Sequence, residues 1–354
     1  MVIKNNCDFL FGFEAVMTNP NGDPDQENKP RMDYETKTAL VSDARRKRDM
    51  RNFFKAKGLP IFVDTLSEEK VPMDTMLEYY RTQWFDNEDK MLALLDEYTE
   101  IRELWDAMAA KSKKSGYKEV YEDKKVKKME EFSRFNNLFT TALIQKELID
   151  IRLFGSAMAV DGVSRTFTGP IQITWGHSMH PVDLVKSNTI TSIMNEDNST
   201  FGKKYKLHYG LIIHSGTINK FSAQLTGMTE EDKALFRSAL VQGMLINQTD
   251  SKQGQTPLFY IEIQYTPSFD GFLGDLRRFI RVNYDDRKPI RSLSDLTMDD
   301  QALVKSIQQM KEAGYIEMVT AWYHPIILDQ NMFHIDIDQV VDLWAPIQLA
   351  GIDR

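Results

Sequence analysis

Two stretches alternate most cleanly between one set of side chains and another. In residues 7–17, Phe9, Phe11 and Phe13 alternate with Leu10, Gly12 and Glu14. In residues 257–265, Leu258 and Tyr260 alternate with Phe259, Ile261, Ile263 and Tyr265. A period of two predicts strands at both places. Residues 169–175 and 206–213 read as further strands. Residues 150–159 read as a strand bent at a glycine, and residues 59–63 as a short edge strand started by Pro60. Helical composition covers residues 72–110 and 127–148. A further helix is predicted to begin after Thr229, an N-cap followed by acids, and to run to about residue 246. Another falls near residues 299–313, and a last apolar segment near residues 340–349.

This order predicts an α+β fold, a ferredoxin-like sheet in split βαβ form, interrupted by an insertion at residues 65–148. The insertion is largely helical, with a mobile cationic bridge at residues 111–118. Residues 176–204 have little periodicity and many Asn, Ser and Thr, which suits an extended hairpin projecting from the core. Most of Phe9, Phe11, Phe13, Phe53 and Phe54 are expected in the core.

The stretch from Asn19 to Lys57 carries the densest chemistry. Asn19-Pro20-Asn21-Gly22-Asp23-Pro24-Asp25 and then Asn28-Lys29-Pro30-Arg31 form a polar loop. Its three prolines fix φ, and Gly22 offers a positive φ. A helix is expected to start within residues 36–43, and residues 37–57 hold eight positive and two negative charges. At 100° per residue from Leu40, the positions Leu40, Ala44, Met50 and Phe54 share one face. Lys47 and Arg51 fall on that face, Arg45 and Arg48 flank it, and Arg46 points away. Cations within an apolar stripe either snorkel out or reach a buried anionic ligand.

The chain has 354 residues with 44 Lys and Arg against 52 Asp and Glu, a formal net charge of −8. That argues against indiscriminate binding to nucleic acid but leaves room for a basic channel, because the charge is uneven. Residues 111–128 hold eight lysines against three acids, and residues 285–354 twelve acids against six bases. One cysteine, Cys7, excludes an internal disulfide and a cysteine-rich metal site. The first residues lack a signal-peptide profile and no apolar run is long enough to span a bilayer, so a cytoplasmic protein with no membrane partner is expected.

His177 and His180 lack further ligands at metal spacing. Asn19, Asn21, Asp23 and Asp25 sit at alternate positions like a calcium loop, but the glycine is fourth and the twelfth place is Pro30. Asp23 and Asp25 leave open a Mg²⁺-dependent nuclease as the alternative. No Walker loop, dinucleotide fingerprint or nucleophile elbow is present. No cofactor and no metal are expected.

These residues also resemble a known family. Asn19 to Asp25, Lys29-Pro30-Arg31, Leu40-Val41-Ser42-Asp43, Lys47-Arg48 with Arg51, and Asp150-Ile151-Arg152-Leu153-Phe154-Gly155 match it. So do Thr168-Gly169-Pro170-Ile171-Gln172, His180-Pro181-Val182-Asp183, Gly202-Lys203-Lys204-Tyr205, Gly227 with Thr229-Glu230-Glu231-Asp232, and Ser251-Lys252 with Gly254-Gln255. The sequence resembles the backbone subunit of type I CRISPR surveillance complexes (Cascade), within the RAMP superfamily, most like subtype I-B and then I-C. The likeness runs from the N-terminus to about residue 280; the insertion and the last seventy residues match only in character.

The resemblance implies a hand-like subunit. An RRM-like palm would take residues 1–64, 149–175 and 205–354, helical fingers residues 65–148, and a thumb hairpin residues 176–204, with Met194 a candidate wedge. It implies a non-enzymatic role: copies line up head to tail on CRISPR RNA, beside other Cascade subunits, and present guide bases to a target DNA strand. Lys47, Arg48 and Arg51 would hold RNA phosphates. Asn21, Arg31, Ser42 and Arg45 would line the loop side of the groove, and Ser251 and Lys252 would close it. Lys111, Lys113 and Lys114 would meet target DNA. The alternative within the same superfamily is an RNA-cleaving backbone subunit like that of type III complexes, using Asp23 or Asp25.

Overall fold

The computed structural model describes residues 1–66, 69–160, 163–186, 189–191, 201–328 and 332–347. Its centre is a nine-stranded sheet. The strands and helices that matter here are, in chain order, β1 (Cys7–Thr18), β2 (Met32–Asp33), β3 (Thr38–Val41), α1 (Asp43–Ala56), α2 (Met73–Phe85), α3 (Glu88–Glu97), α4 (Thr99–Lys111), α5 (Tyr117–Tyr121), α6 (Glu130–Glu147) and α7 (Ile149–Phe154). They continue with β4 (Gly155–Val160), β5 (Val163–Thr168), β6 (Ile171–Ile173), β7 (Gly176–Ser178), β8 (Thr189–Thr191), β9 (Phe201–Lys203), β10 (Leu207–Ile218), α8 (Lys220–Thr226), α9 (Glu230–Ile246), β11 (Gln255–Tyr265), α10 (Gln301–Glu312), β12 (Ile316–Tyr323) and β13 (Gln339–Val340). The sheet order is β13-β12-β11-β1-β10-β7-β3-β2, with β6 also on β10.

β1 is the axis. It pairs antiparallel with β10 on one side, Phe13 opposite Ile212, and with β11 on the other, Phe11 opposite Tyr260. The alternation read in residues 7–17 now has its physical cause. Phe9, Phe11 and Phe13 point to one face and pack with Phe53, Phe54 and Phe236 from α1 and α9. Leu10 points to the other face, with Ile261, Ile263, Leu303 and Ile307 beneath α10. All five phenylalanines expected in the core are buried.

Residues 73–147 form a helical body with an apolar core of its own, in which Trp84, Phe85, Tyr121, Phe135 and Phe139 meet. Phe139 stacks on Phe85 at 5.2 Å and on Phe135 at 5.4 Å. Among the described residues no helix is long and apolar enough to cross a membrane.

Three expectations are corrected. The helix expected from residues 36–43 starts only at Asp43, because residues 38–41 form β3 and pair with β7, Val41 opposite Gly176. Residues 59–63 form no strand. The N–H groups of Phe62 and Val63 donate instead to the Asp150 carboxylate, at 2.8 and 3.1 Å. Residues 150–154, read as strand, are helical in α7. This short helix is buried on nearly every side, so it has no amphipathic period to announce it. It ends at Gly155, whose φ of 71° and tight crossing under Phe167 and Gly169 leave no room for a Cβ. The bridge at residues 111–118 is short: the Ser112 hydroxyl donates to Asp123 at 2.9 Å, and α5 begins at Tyr117.

In the 176–204 stretch, β7 joins the main sheet and β8 pairs with β9 as a separate ladder. Met194 lies outside the described residues. The helix expected after Thr229 is α9, with the capping box formed by Thr229 and Asp232.

Candidate nucleic-acid interface

The loop that precedes α1 is held by its own backbone and side chains. The Asn19 amide donates to Asn28 O at 2.8 Å, and Arg31 N donates to Asn21 O at 2.8 Å. Gly22 and Asp23 pair with Pro30 and Lys29 in a two-residue ladder. The positive φ values fall at Glu27 (52°) and Asn28 (61°), not at Gly22. Gly22 is needed for closeness instead: a Cβ there collides with the Asn28 side chain. Asp23 caps the turn at Pro24–Gln26 by accepting from Asp25 N, and lies 3.5 Å from the Arg31 guanidinium. Among the described residues no three His, Cys, Asp or Glu side chains group to hold a metal ion.

Ser42 ties this loop to the helix. Its N–H and hydroxyl both donate to Asn21 Oδ1, at 2.9 and 3.0 Å, and its oxygen accepts from Arg45 N as the N-cap of α1. Asn21 and Ser42 are therefore brought together as expected, with their polar groups spent largely on each other.

The phase assigned to α1 is corrected. Its buried positions are Arg46, Asp49, Met50, Phe53 and Phe54, spaced i, i+3, i+4, i+7 and i+8. Leu40 lies in β3 and cannot set the phase of a helix that starts at Asp43. Arg46, expected to point away, is the centre of the buried stripe and 1% exposed. Its guanidinium lies over the Phe13 ring at 4.9 Å and 3.2 Å from Asp49. Burial pulls its pKa down to about 10, so it stays charged at neutral pH. Below it, on β10, His214 stacks with Phe13 at 6.1 Å and its Nδ1 is 2.9 Å from Thr174 O. Burial first, and then Arg46, push His214 down to about 3, so the ring is neutral.

Above the stripe the remaining cations form a rim. Arg45 pairs with Asp49 at 3.1 Å. Lys47 pairs with Asp43 at 3.0 Å, and Arg51 with Asp150 at 2.9 Å. Both lie near the Phe154 ring, at 5.8 and 5.5 Å. Lys47 and Arg51 are half-buried and engaged by carboxylates, so they do not stand as free cations in an open trough. Arg48 is exposed. Ser251 closes the loop side, its carbonyl accepting from Thr18 Oγ1 at 2.6 Å and Asn19 N at 2.9 Å. Lys252 is lowered in pKa by burial and by Arg45, with Asp49 opposing, which places it beside the first turns of α1. Two cations, Arg45 and Arg46, thus share one carboxylate, Asp49, with Lys252 near them.

Three side chains outside the expected set belong to this surface. Lys203 and Tyr205, just past the β8–β9 ladder, both donate to Glu27, at 3.3 and 2.8 Å. Lys204 pairs with Asp250 at 2.7 Å. The Gly202-Lys203-Lys204-Tyr205 motif was the signal that pointed to them. Lys111, Lys113 and Lys114 lie elsewhere, exposed at the end of α4 and in the turn after it.

The model for CRISPR-associated protein Cas7 matches residues 5–301. The chain belongs to the Cas7 family. Over its whole length it is similar to a CRISPR-associated protein Cas7 of Haloferax volcanii, at 23% identity and covering 96% of that protein. Its fold is similar to a chain of a solved CRISPR RNA-guided surveillance complex, pre-nicking, with a TM-score of 0.51 at 14% identity, over 95% of this chain and 96% of that one. A chain of another CRISPR RNA-guided surveillance complex gives a TM-score of 0.47 at 10% identity, over 95% and 96% of the two chains. The first of these two likenesses is one of fold, a mixed α+β arrangement around a central sheet.

Proposed function

We propose that this Cas7-family chain is a non-catalytic backbone subunit that assembles in copies along a CRISPR RNA, holds its sugar–phosphate strand and leaves the bases free to pair with target DNA. The observation that carries this reading is the convergence of Arg45 and Arg46 on one buried carboxylate, with Lys252 near them, beside a loop-capped helix start. Such a surface keeps excess positive charge at fixed positions, which suits phosphates and reads no base edge. Arg48, Lys47 and Arg51 extend it along α1, and Asn21, Arg31, Ser42 and Ser251 shape its loop side. Lys111, Lys113 and Lys114 serve the target strand, where contacts are loose and blind to sequence. In this reading the central sheet is an RRM-like palm, residues 65–148 are fingers and residues 176–204 a thumb, in a type I complex most like subtype I-B of the cytoplasm.

Binding of guide RNA against salt tests it. With about four phosphates held per subunit on a single strand, log K falls against log salt with a slope near −3. A salt-independent affinity refutes the phosphate grip. Discrete short RNA of uniform length is expected to travel with the protein through purification. Matched RNA given with Mg²⁺ is expected to stay whole; a regular ladder lost in Asp23→Ala refutes the non-catalytic role.

A further inference from the structure

The carboxylates that face the cations of this surface fall into two kinds. Asp49 and Asp150 are 3% and 0% exposed and are bonded into the fold. Glu27 is 62% exposed, and among the described residues its carboxylate accepts from Lys203 and Tyr205, both at the base of the β8–β9 ladder. A second cation, Lys29, lies 5.3 Å from the Tyr205 ring. An ammonium and a phenol hydroxyl converging on one anionic oxygen, here Glu27 Oε2, is also how a phosphate is held, since both anions offer acceptor oxygens of similar reach. Glu27 reaches them from a backbone with φ of 52°, followed by Asn28 at 61°. Left-handed conformations in two successive non-glycine residues carry strain, so the loop is held in place by its partners more than by its own preference.

We infer that Glu27 is a placeholder for an RNA phosphate: it occupies Lys203 and Tyr205 in the free protein, and an incoming phosphodiester displaces it, an inference that rests on the RNA-holding reading above. The exchange is nearly balanced, because an exposed pair in water is weak. It therefore lowers affinity for stray polyanions while leaving room for a strand held by many subunits at once. It also couples two parts of the fold, since the same carboxylate joins the loop before α1 to the base of the 189–203 ladder.

The test is a double-mutant cycle read by guide-RNA affinity at low salt, on full-length protein. Glu27→Gln keeps the shape and removes the charge. It is expected to tighten RNA binding about threefold, the size of one exposed pair. Lys203→Ala is expected to weaken binding, and Glu27→Gln added to Lys203→Ala to change nothing further. Weaker or unchanged binding in Glu27→Gln overturns the inference. Equal tightening in the Lys203→Ala background also overturns it, because the effect is then only the general loss of negative charge. A wild-type protein that binds no RNA overturns the RNA-holding reading itself, a distinct result from a wild type that binds while Glu27→Gln responds with the wrong sign.

Discussion

The chain carries two concentrations of positive charge, and they are built in opposite ways. Around α1 nearly every cation leans on a carboxylate: Arg45 and Arg46 on Asp49, Lys47 on Asp43, Arg51 on Asp150, Arg31 on Asp23. At the tip of the helical body, Lys111, Lys113 and Lys114 stand exposed, and the structure gives their side chains no ion pair among the described residues. A cation fixed by a buried partner keeps its position and loses little entropy when an anion arrives. A solvated lysine adapts its position and is screened by salt. The first design holds a strand in register; the second attracts one without fixing it.

The largest effect expected is at Asp150. Its carboxylate holds Arg51 and the N–H groups of Phe62 and Val63 with no exposure of its own. Asp150→Ala leaves all three unpaired and should cost about 3–5 kcal/mol of stability, read as a fall in the urea midpoint. A loss below 1 kcal/mol breaks the contrast, because Arg51 is then not anchored.

Acid titration sharpens the same point. His214, facing Arg46, Arg277 and His177, has a folded pKa of about 3, below the ordinary 6.5. The unfolded chain takes up the proton first, so stability from this group is present above pH 6.5 and is lost as pH falls toward 3, by roughly 5 kcal/mol. Asp8 acts in the opposite sense. Its oxygen accepts from Tyr265 OH at 2.5 Å and from Leu273 N at 2.7 Å, yet burial raises it to about 6. The folded state then holds its proton longer, so this group favours folding below about pH 4 and that favour fades as pH rises to 6. His214→Gln should flatten the loss of stability between pH 6.5 and 4, and Asp8→Asn should steepen it. Urea midpoints across that range decide; an unchanged slope in His214→Gln contradicts a neutral buried ring under Arg46.

Function separates the two regions next. Lys47→Ala with Arg51→Ala is expected to weaken every guide sequence alike, by about tenfold or more. Loss confined to one sequence speaks against a backbone grip. Lys111, Lys113 and Lys114, changed together to Ala, should leave the melting temperature within about 2 °C and guide-RNA affinity intact, since surface changes away from structural features are small. Only target-strand binding should fall, severalfold, and most at low salt. A guide-RNA loss as large as that of the α1 pair erases the distinction.

Much of this arrangement was readable in advance where the signal was local. β1 and β11 announce themselves by period two, and α9 by Thr229 with Asp232 three residues on. The loop of Asn19 to Asp25, Ser42 and the Ser251-Lys252 turn were grouped through the family resemblance of their motifs, and bonds from Asn19 N to Ser251 O and from Ser42 to Asn21 Oδ1 do join them. What failed depended on distant partners. The phase of α1 was counted from Leu40, a residue that belongs to β3 because β7, more than 130 positions later, pairs with it. Residues 59–63 looked like an edge strand because nothing nearby shows that Asp150 accepts their N–H groups.

By itself the sequence determined which segments alternate, where α9 begins, where positive charge gathers and which family the loop and helix motifs resemble. Those are properties of neighbours along the chain, set by backbone periodicity, capping chemistry and residue type. Only the tertiary structure decided that Arg46 lies inside, that Lys47 and Arg51 answer to Asp43 and Asp150, and that Glu27 faces Lys203 and Tyr205. A charge has no fixed meaning until its burial and its nearest partner are set, and three of these four pairings, closing across 99 to 178 positions of chain, exist only once the fold has brought their ends together.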